Sequence, residues 1–206
     1  MIQPKISIVF IGLLFFLNAF YGCSGLKKEP LDKNYFDISI NLTASNQSNI
    51  NHGGTLLIKE FAINPAFDSH SFVYRIEKNE YLNDYYNEFI SYPAKLITQK
   101  IEEGLCSSQY FRSAQTNMKQ DIDFRLSGKI TRLYGDYQEP DNPKAMIEIR
   151  MVLEKRADNT FKVITGKTYT AHENISSRKP AHLVSGWNAG LSKIVIQFID
   201  DFNPPD

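Results

Sequence analysis

The side chains able to do chemistry are few and widely spaced. There are two cysteines, Cys23 and Cys106, too few for a disulfide framework. Cys106 reads as a small buried apolar residue. The histidines, at 52, 70, 172 and 182, never fall at metal-ligand spacing. The carboxylates of "DID" (121–123) flank Ile122 in a strand-like stretch, where adjacent residues point to opposite faces. The pair Asp200 and Asp201 ends a helix-like stretch, where acids are mildly unfavourable, and reads as a solvated end. The chain holds no G-x-S-x-G elbow, P-loop, G-x-G-x-x-G, H-E-x-x-H or C-x-x-C. No catalytic, cofactor-binding or metal-binding residue is nominated, and a non-enzymatic role is expected. A hydrolase would need polar groups from distant stretches to converge in one pocket. Lys+Arg and Asp+Glu both number 23, so no bulk charge draws the chain to nucleic acid.

Cys23 stands apart because of what precedes it. Lys5 is followed by an unbroken apolar run from Ile6 to Leu17, then Asn18, Gly22 and the cysteine. That is the layout of a secretory leader, and the run is short for a spanning helix. It resembles a bacterial lipoprotein signal, in which a small residue, here Gly22, precedes a cysteine that is acylated and becomes the new N-terminus. Phe20 departs from the pattern, which usually has Leu there. An uncleaved anchor and a plainly secreted chain are the alternatives. Several acyl chains on one residue give a durable anchor where one is marginal. The resemblance implies lipid attachment at Cys23 and, because Ser24 rather than Asp follows, the periplasmic face of the outer membrane; the missing motifs imply no metal and no cofactor. Cleavage would leave 22 basic side chains against 23 acidic ones, so charge would not hold the body to anionic lipid.

The organisation expected is therefore 1–22 signal, 23–34 acylated N-terminus and tether, and 35–206 a single folded domain. Hydrophobic residues at 42% and charged residues at 22% suit a globular domain. "YFDISINL" (35–42) and "TLLIKEF" (55–61) read as short strands. Residues 71–86 read as a hairpin turning at Lys78 and Asn79, with Phe72, Tyr74 and Ile76 on one face. Residues 91–108 read as a helix, with Pro93 in its first turn and Ala94, Ile97, Ile101 and Leu105 on one side; Gly104 weakens its last turn. Ile122, Phe124, Leu126 and Ile130 alternate with polar residues, as do Ala145, Ile147, Ile149, Met151 and Leu153. With "FKVITGKTYTAHE" after the "ADNT" turn, they predict an antiparallel meander. Leu183, Trp187, Leu191, Ile194 and Phe198 stripe a closing helix. The sum is an α+β fold: an antiparallel-rich mixed sheet with two amphipathic helices on one face.

Tyr81, Tyr85, Tyr86, Phe89 and Tyr92 crowd one segment. They form either a wall of the core beneath the first helix or an exposed protein- or lipid-contact surface. On the second reading Tyr81, Tyr85, Tyr86 and Phe89 are partner-contact candidates. Taken in order, Cys23, "YF" at 35–36, "LLIKEF", Val73-Tyr74-Arg75 with Tyr81, "IEEGLCSSQYF", and Asp123, Leu126 and Gly128 resemble the ABC-type transport auxiliary lipoproteins (PqiC/YmbA-like). Phe124 stands where that family's strand has Tyr, and Phe89 where many members have Trp. The resemblance implies an adaptor in lipid transport, partnered by an MCE-domain protein and an ABC permease and ATPase. Self-association into a homo-oligomer is compatible with it. The competing reading is a structural lipoprotein of a secretion, pilus or lipopolysaccharide-export assembly.

Overall fold

The computed structural model describes residues 32–42, 54–117 and 122–202. Cys23, His52 and Asp121 lie outside the described residues. Contacts divide Met1–Asp32 from Lys33–Asp206, and every element below belongs to the second unit. The strands are β1 (Asn34–Phe36), β2 (Thr55–Ile58), β3 (Ala62–Ile63), β4 (Ser71–Glu77), β5 (Glu80–Phe89), β6 (Ser113–Gln115), β7 (Phe124–Asp136), β8 (Lys144–Ala157) and β9 (Thr160–Asn174). Helix α1 (Pro93–Ser107) follows β5, and α2 (Pro180–Phe202) follows β9.

The fold is α+β, with a single mixed sheet. Its long ladders, β7–β8, β8–β9 and β4–β5, are antiparallel, whereas the short pairings β1–β5, β2–β6, β2–β7, β3–β7 and β4–β7 are parallel. The meander formed because alternation there is strict. Leu126, Ile130, Ile149, Met151 and Leu153 are all buried against the helices, while Arg125 and Glu154 pair on the opposite face. Asp158, in the left-handed region at φ 56, turns β8 into β9. Both helices begin at proline, where the missing N–H has no intrahelical role.

Three features depart from the sequence reading or were absent from it. The stretch 35–42 is a strand only at Asn34–Phe36. Beyond it Ile38 is buried and Ile40 and Leu42 pack on the core, while the exposed side is held by α2. Asn188 Oδ1 accepts from Ser39 N at 2.9 Å, and Ser192 Oγ from Asn41 N at 3.0 Å. One helix turn separates Asn188 from Ser192, so the helix supplies the acceptors that a neighbouring strand would. Second, β6 carries too few residues for any alternation to show, and it exists only by pairing with β2. Third, Gly104, expected to weaken the last turn of α1, also has a packing role there. Its missing side chain lets Ile40 Cδ1, Leu42 and Val195 approach, the nearest at 3.0 Å from where a Cβ would stand.

Glycine also sets the two main packing seams. The Phe61 ring lies across Gly128 of β7, where a Cβ would meet it at 2.3 Å. Phe61 N in turn donates to Thr98 Oγ1 of α1 at 3.0 Å. Helix α2 lies on β8 and β9 through Gly186 and Gly190, one turn apart, facing Ala145 and then Ile147 and Ala171. Close approach here brings Trp187 into full burial, its Nε1 donating to Met146 O at 3.2 Å. At Gly186 a new Cβ would lie 2.5 Å from that of Ala145, which cannot move without its strand.

This seam predicts that Gly186→Ala destabilises the protein. The helix gains roughly 1 kcal/mol of propensity, but overpacking against an immovable strand costs about 1–3 kcal/mol. A net loss, read as a lower urea midpoint at unchanged m-value, is expected. Gly166→Ala is the control. Its Cβ meets only Val152 at 3.7 Å, so stability should hold or rise.

Candidate functional site: the tyrosine hairpin

The β4–β5 hairpin turns at Lys78 and Asn79, as its sequence predicts, but its ladder breaks. Ser71 pairs with Glu88 and Val73 with Asn83, so two steps along β4 face five along β5. The surplus forms a bulge at "DYYN" (84–87), and bulges re-aim side chains. Asp84 ties it. Its Oδ1 accepts from Tyr86 N at 2.8 Å and Asn87 N at 3.1 Å. Its Oδ2 accepts from Asn87 Nδ2 at 2.7 Å and from the Tyr74 hydroxyl. Tyr74 stacks on Tyr137, ring centroids 4.9 Å apart, and so fixes the carboxylate from behind.

The electrostatics follow from these bonds. Burial opposes ionisation of Asp84, but the hydrogen bonds from Tyr74, Asn87 and the two amides outweigh it and hold the carboxyl below its ordinary value. Tyr74 is pushed well above the ordinary tyrosine value, by burial first and then by its bond to Asp84.

The bulge turns Tyr85 and Tyr86 outward. They are 59% and 51% exposed, with rings edge-to-face at 5.5 Å. Lys33 lies over the Tyr85 ring and pairs with Glu88. Tyr81 is half-exposed and rests edge-on against Tyr134 and Phe67. Phe89, grouped with these three as a contact candidate, is 2% exposed and belongs to the core. It resumes the inward alternation after the bulge and packs against Phe72 and Trp187. The segment is thus both a core wall, at Phe89, and an open surface, at Tyr85, Tyr86 and Tyr92. The wall faces α2 rather than α1. Among the described residues, seven of the nine exposed large apolar side chains lie on β1, on β5 or in the link to α1. The other two, Val163 and Ile164, lie on β9, an edge of the sheet.

Of the residues that carried the family resemblance, Tyr74, Arg75 and Tyr81 lie on this hairpin and Asp123 lies at the β2–β7 junction. Arg75 pairs with Asp136 and lies over the Tyr134 ring at 5.0 Å. Tyr74 anchors Asp84. Asp123 Oδ2 accepts from Thr55 N at 2.8 Å and Thr55 Oγ1 at 3.0 Å, tying β2 to β7. Asp84 itself escaped the sequence reading. Its signal was two adjacent large side chains, breaking alternation, between an Asp and an Asn.

The remaining reactive groups stay apart. Cys106 is exposed rather than buried, because it lies off the apolar side of α1, and its thiol donates to Ala114 O. His70 Nδ1 donates to Phe89 O at 3.0 Å and its ring meets Tyr92. His182 Nδ1 contacts the Ser176 and Ser177 hydroxyls just before and within the first turn of α2. Among the described residues there is no cluster of metal-ligating side chains, and no helix is long and apolar enough to cross a membrane. Asp201, read as a solvated helix end, is paired with Lys167 at 2.7 Å.

No family model matches the chain, and no curated protein matches it. Solved structures do share the fold. One is a Xanthomonas campestris protein described as DUF330, with TM-score 0.70 and 16% identity, covering 81% of this chain and 92% of its own. Another, an uncharacterised protein, has TM-score 0.68 and 12% identity, covering 84% of this chain and 99% of its own.

The Asp84 knot predicts a stability window and a local defect. A carboxyl held low contributes stability that is complete above about pH 4 and is lost as pH falls through its folded value. A phenol held high contributes stability that is complete below about pH 10 and is lost as pH rises. Asp84→Ala removes the acid end of this window, keeps the alkaline end that burial imposes on Tyr74, and leaves two amides without their acceptor. The expected cost is about 1–3 kcal/mol, with new proteolytic cleavage at Tyr85 or Tyr86. Denaturation of wild type and variant between pH 3 and 11 checks it.

Proposed function

We propose that the chain is a non-enzymatic, acylated lipoprotein of the bacterial envelope, related to the auxiliary lipoproteins of ABC-type lipid transport. Acyl chains on Cys23 would hold it to the outer membrane, and its periplasmic body would dock an MCE-domain protein with its permease and ATPase. The observation that carries this reading is a combination. An acylation-type leader cysteine precedes a domain whose fold is shared, over 92% of that chain's length, with a DUF330 protein. The residues Tyr74, Arg75, Tyr81, Asp123 and Gly128, which bear the family pattern, also have structural work in this fold.

The body offers a docking edge. β9 runs for 15 residues with its outer side open among the described residues, and it presents Val163 at 63% exposure and Ile164 at 48%. An open strand edge can accept a partner's strand, with backbone hydrogen bonds supplying the pairing. ATP hydrolysis is assigned to the ATPase partner and not to this chain.

Two measurements test the proposal. Cys23→Ala should leave the thermal transition of the body unchanged, because the fold begins at Lys33, and should remove the protein from the outer-membrane fraction. Affinity purification of the acylated chain from detergent-solubilised envelopes should recover an MCE-domain protein and its transporter. Recovery of secretion, pilus or lipopolysaccharide-export components without an MCE-domain protein would contradict it.

A further inference from the structure

The acylated N-terminus fixes which part of the body reaches the bilayer first. Ten peptide units separate Cys23 from Lys33, a reach of at most about 35 Å when fully extended. The chain then enters the fold at β1, beside the tyrosine bulge. Whatever the extension of the tether, the surface around β1 is the part of the body closest to the anchor along the chain.

That surface has the chemistry of a water–hydrocarbon boundary. Phe36 and Phe89 are paired in register and point into the core. Alternation therefore places Tyr35, Glu88 and Ile90 on the opposite side. Tyr35 is 59% exposed and Ile90 61%. The bulge adds Tyr85 and Tyr86, and Tyr92 follows. Tyrosine suits the membrane interface because its ring is apolar and its hydroxyl is not. Lys33 and Glu88 beside Tyr35 are closed on each other, and Asp37, two residues on, lies 3.8 Å from Lys100, so laying this face on lipid need not bury a lone charge.

We infer that the outer side of β1, β5 and the β5–α1 link is a membrane-surface contact, seated in the headgroup region, which orients the lipid-anchored body. The inference rests on the acylation of Cys23 proposed above. It gives the tyrosine bulge a purpose: the bulge lifts two rings out of the ladder on the side where the tether arrives. It also separates the body's two exposed apolar regions by role. β9 is five strand spacings from β1 across the sheet, roughly 24 Å, and stays in the aqueous space for a protein partner.

The test uses the acylated chain reconstituted in phosphatidylethanolamine/phosphatidylglycerol vesicles that carry lipids brominated near the carbonyl. Three reporters are introduced singly: Tyr85→Trp and Ile90→Trp on the proposed face, and Val163→Trp on β9. Trp187, fully buried, gives all three a common background. All three sites are exposed, and thermal transitions matching wild type confirm that the folds are equal. The expected result is loss of reporter fluorescence at 85 and 90 and none at 163. If the chain floats with the vesicles but 85 and 90 are quenched no more than 163, the face is turned away from the bilayer. The inference then fails while the anchor stands, and the patch is left to a protein. If the chain does not float at all, the anchoring itself fails, and the inference with it.

Discussion

One carboxylate organises the exposed aromatic surface of this protein. Asp84 sits where β5 carries more residues than β4 can pair, and it satisfies two amides that the broken ladder leaves without strand partners. Amide bonds to an ionised carboxylate contribute about 1.5–3 kcal/mol where water is excluded and less where it is not, and together these two favour the bulge over an open loop. Tyr74 and Asn87 complete the closure, and Tyr137 backs Tyr74. Tyr85 and Tyr86 face outward because the chain between Asp84 and Asn87 has no other course. The apolar surface this creates is held by the fold and is not a failure of burial.

Behind the hairpin the body is rigid for a different reason. Helix α2 approaches β8 and β9 through small residues, Gly186 and Gly190 over Ala145 and Ala171, and Trp187 fills the space beside them. Phe72 and Phe89 meet the same indole, at ring distances of 5.0 and 5.2 Å. The bulge is therefore seated between two fixed points, Phe72 and Phe89, both locked to α2. The segment 37–42 is fastened to the same helix by Asn188 and Ser192. The strand β1, the aromatic surface and the main helix thus form one mechanical unit.

Much of this could be read from the chain, and what could not has physical causes. The meander and the α2 stripe were legible because each spans enough residues for a period of two or 3.6 to declare itself. The helix at Pro93 was legible from its proline and its apolar spacing. β6 and the end of the first strand were not, since three residues show no period and their pairing comes from distant partners. Phe89 was misplaced among the contact residues because a bulge shifts the face of everything after it, and Cys106 because helix phase rather than composition sets its exposure. The tyrosine cluster was visible as a cluster. Its division into core and surface was not, because that depends on Asp84, whose role is set by Tyr74 across the hairpin.

Amide hydrogen exchange of the native protein tests the central claim most directly. Tyr86 and Asn87 occupy an exposed bulge, where amides without acceptors exchange at the rate of open chain. If Asp84 holds them as described, both amides exchange slowly, comparable to the paired residues of β4, whereas Asn159 in the β8–β9 turn exchanges fast. Rapid exchange at Tyr86 and Asn87, matching that turn, would contradict the account: the tyrosines would be displayed by a loose loop, with no fixed surface for a bilayer or a partner to meet.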